Sequence, residues 1–83
     1  MTRQEIINTL QPIAQQIFQQ PDLNLNIQAR PQQIPNWTSL TFTQFLTEIE
    51  NHLNIKFKML EIIRMRTTQD IIDVTLTHLQ ANQ

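Results

Sequence analysis

Ser39 is the only serine in an 83-residue chain that carries ten threonines. It sits in the run Asn36-Trp37-Thr38-Ser39-Leu40, directly before an apolar helical stripe. A primary hydroxyl at a helix start can do two things. Most often it caps the helix by accepting an orphan backbone N–H. The same position also suits a covalently attached phosphate, because the free N–H groups and the positive end of the helix dipole stabilise added negative charge. A plain cap could have been any of the threonines, so the lone serine points toward chemistry. Hydrolysis is not that chemistry: a nucleophile needs a positioned base, and nothing in the sequence places a histidine near Ser39. His52 and His78 lie far apart without cysteine neighbours, which leaves a metal site unsupported and reads both as surface residues.

The elements that must position Ser39 follow from periodicity. The second helix runs from Ser39 or Leu40 to Leu53, with Phe42, Phe45, Leu46, Ile49 and Leu53 recurring at helical spacing. Its other face, Thr41, Thr43, Gln44, Thr47, Glu48 and Asn51, is polar but nearly uncharged. Before it, Thr2 and Glu5 have capping-box spacing and start a first helix whose stripe is Ile6, Leu10, Ile13 and Ile17, widened by Ile7, Ala14 and Phe18. Pro12 falls inside that stripe and predicts a kink or a fresh start. Pro21 closes the segment, and Pro31 and Pro35 mark a linker rich in Gln and Asn, whose glutamines, like Gln15 and Gln16, read as solvated surface. After the second helix, Phe57, Met59, Ile62 and Ile63 suggest a short strand or helix. Thr67 and Asp70 repeat the capping spacing and open a last helix with Ile71, Ile72, Val74, Leu76 and Leu79 as its buried side. The expectation is an all-α, four-helix bundle, three main helices and one short, forming a single domain over residues 1–83.

Composition narrows the function. At 40% hydrophobic and 16% charged residues, with a net charge of −1, the chain lacks the basic face of a dedicated nucleic-acid binder. Four bases between Lys56 and Arg66 face only Glu61, a local charge of +3, and read as solvated charge or as a surface for an acidic partner. The absence of glycine argues against phosphate-cradling loops and dinucleotide folds. There is no cysteine, hence neither disulfide nor thiolate metal ligand. No apolar run approaches a membrane span and the N-terminus lacks a signal-peptide pattern, so a cytoplasmic protein with no membrane or nucleic-acid partner is expected. Trp37, beside two prolines, reads as cover for the core edge.

Thr38-Ser39-Leu40 resembles the Asp-Ser-Leu signature at the second helix of the acyl and peptidyl carrier proteins, the phosphopantetheine-binding family. "WTSL" is followed by "IENHLNI" and "KFKMLEIIRMRTTQDIIDVTL" in the family's register, and the resemblance covers Asn36 to Leu79. It implies a monomeric carrier, not an enzyme. A phosphopantetheinyl transferase would move 4'-phosphopantetheine from coenzyme A onto Ser39, whose arm then bears acyl or aminoacyl thioesters. Ketosynthase, acyltransferase or adenylating ligase enzymes would be its partners. The resemblance places docking on Thr38, Leu40, Thr43, Gln44, Thr47 and Glu48. An acyl-chain pocket would lie between the helices at Phe42, Phe45, Ile49 and Ile62, although an apolar stripe most often serves a plain core. The family's acid before the serine is Thr38 here, and the second helix lacks a dense acidic patch, so weak charge steering favours a polyketide, nonribosomal peptide or specialised lipid pathway over housekeeping fatty acid biosynthesis. The competing reading is an unmodified helical interaction module in which Ser39 only caps.

Overall fold

The computed structural model describes residues 2–25 and 33–81, and the Pro31 and Gln32 part of the linker lies outside them. The chain forms α1 (Arg3–Ile17), α2 (Ser39–Leu53), α3 (Met59–Arg64) and α4 (Thr68–Ala81), three main helices and one short, as the periodicity predicts. α1 packs against both α2 and α4.

α1 begins as expected: Glu5 N donates to Thr2 Oγ1 at 3.1 Å, and Thr2 N donates to Glu5 Oε1 at 2.9 Å. Pro12 does not break it. Pro12 and Asn8, the residue whose carbonyl loses its helical donor, are both exposed, so water can satisfy that carbonyl, while the buried Ile6, Leu10, Ile13 and Ala14 hold the helix to the core. The helix stops at Ile17, ahead of Pro21, because Gln19 turns into the left-handed region at φ 54°. With no glycine present, Gln19, Asn36 and Asn54 take the left-handed positions; Asn tolerates that region better than most residues. Gln15 is not idle solvated surface, and Gln11 acts with it. Leu25 N donates to Gln11 Oε1 and Gln15 Nε2 donates to the Leu23 carbonyl, which ties the following loop back onto α1.

The core gathers Ile6, Leu10, Phe18, Phe45, Ile49, Ile71 and Ile72, with Leu25, Ile34, Ile55, Phe57 and Met65 closing it from the connections. α4 starts on the Thr67–Asp70 pair, Asp70 N donating to Thr67 Oγ1 at 3.2 Å and Thr67 N to Asp70 Oδ2 at 3.1 Å. Its buried side differs from the apolar stripe: Thr68 and Thr75 are buried with Ile71 and Ile72, whereas Val74, Leu76 and Leu79 pack only partly. Neither the Thr68 nor the Thr75 hydroxyl has a hydrogen-bond partner among the described residues. A buried hydroxyl without a partner carries its full desolvation cost, so Thr75→Val, which keeps the shape and removes the oxygen, is expected to raise stability by about 1 kcal/mol in urea unfolding.

The segment after α2 resolves the strand-or-helix alternative as a helix. Phe57 N donates to Glu50 Oε2 at 2.8 Å and fixes the entry to α3. Phe57 is buried and Ile62 packs partly against the core, but Met59 and Ile63 face solvent. His78 is not a plain surface residue either. Its Nε2 lies 2.8 Å from Glu61 Oε1, and its ring meets Phe57 edge-on at 5.7 Å, so one side chain of α4 anchors α3. The Lys58 backbone N–H and then His78 hold the Glu61 carboxyl below its ordinary value of about 4.5. A carboxyl lowered by folding contributes stability that is present above the ordinary value and lost as pH falls through the lower folded value. The α3 amide resonances of a pH titration should therefore move together below about pH 4.5, and Glu61→Gln should abolish that transition.

Candidate functional site

Ser39 is the first residue of α2, and it does not cap the helix. Thr38 does: Thr41 N donates to Thr38 Oγ1 at 3.1 Å and Thr38 N donates to Thr41 Oγ1 at 2.8 Å. Thr38 has the extended backbone of an N-cap, φ −131° and ψ 173°. The more common reading of Ser39 as a cap is thus overturned by its neighbour, which occupies the one position whose side chain reaches back over the first turn. Thr41 also donates to the Asn36 carbonyl at 2.8 Å, locking the approach to the site.

The consequence for Ser39 is a hydroxyl that is exposed and has no hydrogen-bond partner among the described residues; its carbonyl receives Thr43 Oγ1. No carboxylate lies in the first turn of α2, in contrast to Glu5 in α1, Glu61 in α3 and Asp70 in α4. The positive end of this helix is therefore left uncompensated at the serine. No histidine or carboxylate hydrogen-bonds to the Ser39 hydroxyl among the described residues.

An aromatic stack holds the site in place. Trp37 lies flat on Phe18 at 5.0 Å and 9° and on Phe42 at 5.4 Å and 23°, while Phe18 meets Phe45 edge-on at 5.6 Å. Asn36, in the left-handed region at φ 67°, donates from Nδ2 to the Phe18 carbonyl at 2.7 Å. The loop carrying Trp37 and Thr38 is thereby pinned to the end of α1. Trp37 covers the core edge, as its setting predicts.

The proposed docking residues form a continuous outer surface only in part. Leu40 is 67% exposed beside Ser39, and Thr38, Thr43, Gln44 and Thr47 are exposed. Thr43, Gln44, Thr47 and the half-buried Glu48 line an open groove of about 330 Å³ with Ile17. Thr43 and Thr47 donate to the carbonyls four residues back, Ser39 and Thr43. Their hydroxyls are spent on the helix, and what they offer a partner is largely methyl surface. Glu50 is taken up by Phe57 N, which leaves Glu48 as the carboxylate of this face.

Phe45 and Ile49 are fully packed in the core, at 1% and 0% exposure, and Phe42 and Ile62 pack partly against it. An apolar groove of about 260 Å³ does exist, but it is lined by Leu60, Glu61, Arg64, Met65, Asp70, Asp73 and Val74, and by none of those four. Phe45 and Ile49 thus stand as core, with Phe42 and Ile62 packed at its edge, and a chain entering between them would have to displace packed side chains.

No protein-family model matches the chain. No curated protein matches it in sequence. Among solved structures, it is similar to the solution structure of the holo acyl carrier protein from Geobacter metallireducens, at 25% identity over 92% of this chain and 87% of that one, with a TM-score of 0.84. With Thr38-Ser39-Leu40 at the head of α2 and the likeness running over nearly its whole length, the chain has the four-helix fold of that acyl carrier protein.

Proposed function

We propose that this chain is a carrier whose Ser39 Oγ is the attachment point of a 4'-phosphopantetheine arm. The observation that carries the reading is the exposed Ser39 hydroxyl, unpartnered among the described residues, at an uncompensated helix start in a fold shared with a holo carrier protein. The residues present suit a phosphodiester there: Thr38 supplies the cap, so the neighbouring oxygen is free to be esterified without uncapping α2. Negative charge added at Ser39 meets the positive end of the helix. When attached, the arm supplies a thiol that holds acyl or aminoacyl groups as thioesters.

In the attachment step, Ser39 Oγ bonds to the phosphorus that bears the pantetheine in coenzyme A. The bond to the bridging oxygen breaks, the nucleotide part leaves, and the serine proton passes to a base of the transferase. Thr38, Leu40, Thr43, Gln44, Thr47 and Glu48 are the surface read by that transferase and by acyl-loading and acyl-processing enzymes. With methyl groups and amides in place of a carboxylate patch, this face binds by shape more than by long-range attraction. That favours enzymes of a dedicated polyketide, nonribosomal peptide or specialised lipid pathway. The acyl chain, where sheltered, would enter between α2 and α3 by displacing Phe42, Phe45, Ile49 and Ile62.

The test is to incubate the purified apo-protein with coenzyme A, magnesium and a broad-specificity phosphopantetheinyl transferase. One phosphopantetheine mass should be added. An unmodified interaction module would gain none.

A further inference from the structure

α3 turns three large apolar side chains outward: Met59 is 76% exposed, Leu60 66% and Ile63 65%. The remaining inward residue, Ile62, is only partly buried, and none of the helix's six residues is fully buried. Exposed apolar side chains clustered on so short a helix are unusual for a surface that meets only water, and such patches mark contact sites. Here the cluster is framed by cations. Lys56 and Lys58 precede it, Arg64 and Arg66 follow it, and all four are exposed. Among the described residues, no carboxylate forms an ion pair with any of them, and the two ion pairs present are Arg3–Asp73 and Glu61–His78.

The neighbouring carboxylates are otherwise engaged. Asp70 accepts the backbone N–H groups of Arg66 and Thr67, Asp73 holds Arg3, and Glu61 holds His78 and the Lys58 backbone. Four cations against Glu61, Asp70 and the Arg3-paired Asp73 leave the charge around α3 net positive. Behind it, Leu60, Met65 and Val74 form the apolar wall of the 260 Å³ groove between α3 and α4, whose polar lining is Arg64 together with the already engaged Glu61, Asp70 and Asp73.

We propose that α3 is a docking face for an acidic, amphipathic segment of a partner protein, one that seats an apolar side chain in the α3–α4 groove while its carboxylates meet Lys56, Lys58, Arg64 and Arg66. The occupant follows from charge complementarity: four unpaired cations around an apolar centre repel a basic surface and attract an acidic one, as in interfaces with an apolar middle and a polar rim. The residues of this face do not include Ser39, and the proposal does not require the arm.

The test uses the full chain with Ser39→Ala, isotope-labelled, so that failure of the arm reading cannot influence the outcome. It is titrated with a helical peptide of leucine and glutamate, with its leucine and lysine counterpart, and with phosphatidylglycerol vesicles. The glutamate peptide is expected to shift the amide resonances from Lys58 to Met65 in a salt-dependent manner. The double variant Lys58→Glu and Arg64→Glu should weaken that binding at least roughly tenfold, and Ile63→Ser should weaken it without changing its salt dependence. Equal binding of both peptides, no shift with the glutamate peptide, or binding to vesicles alone would each overturn the proposal, the last in favour of a membrane surface.

Discussion

Ser39→Ala is expected to abolish attachment completely while leaving the fold intact. Among the described residues the hydroxyl has no partner to lose, since Thr38 and Thr41 cap α2 between themselves. Alanine is also a good helix former at the first turn. Thermal unfolding by circular dichroism should therefore change by no more than about 0.5 kcal/mol, the range of a surface substitution. The mass gain from coenzyme A and transferase should fall from full to none. Had Ser39 been the cap, the same substitution would cost about 1 kcal/mol of stability, so the pairing of full loss of modification with no loss of fold separates the two roles of a helix-start hydroxyl.

Phe18→Ala should be the most damaging single change to the scaffold that presents the serine. Phe18 is fully buried and supports Trp37 on one side and Phe45 on the other, and its carbonyl accepts the Asn36 side chain. Truncating a buried phenylalanine costs about 3–5 kcal/mol. Against a small domain's total of roughly 5–15 kcal/mol, that is a large share of the stability. Because Trp37 loses its stacking partner, its fluorescence should shift toward that of solvent-exposed indole even at temperatures where the helices persist. The Ser39 loop would then be loosely held, and modification should slow through misplacement of the hydroxyl, although no atom near it has been altered.

α1, α2 and α4 were legible because each obeys a local rule: capping pairs at Thr2–Glu5 and Thr67–Asp70, and apolar spacing along Ile6 to Phe18 and Phe42 to Leu53, whereas the six residues of α3 are too few for a period to separate helix from strand. The start of α2 was legible in position, but not which residue caps it. Ser39 and Thr38 both have the residue type of a cap, and only backbone geometry decides which of them closes the first turn. Long-range partners left no periodic trace. His78 and Glu61 are 17 residues apart and Asn36 and Phe18 are 18 apart, so neither link could be read from spacing. Thr68 and Thr75 were missed on the buried side of α4 because a polar residue type does not announce burial. Met59 and Ile63 are apolar by type and marked only a short strand or helix; a six-residue helix held by one flank leaves its other flank in water.

The central claim is that one oxygen, Ser39 Oγ, bears a covalent arm. Peptide mapping by tandem mass spectrometry of the protein isolated from its native host tests it most directly, because the cell's own transferase is then present. The expected result is a phosphopantetheine group on the peptide containing Ser39, with fragment ions placing it on that residue. Native protein whose Ser39 is uniformly unmodified, or whose phosphopantetheine sits on another residue, would contradict it.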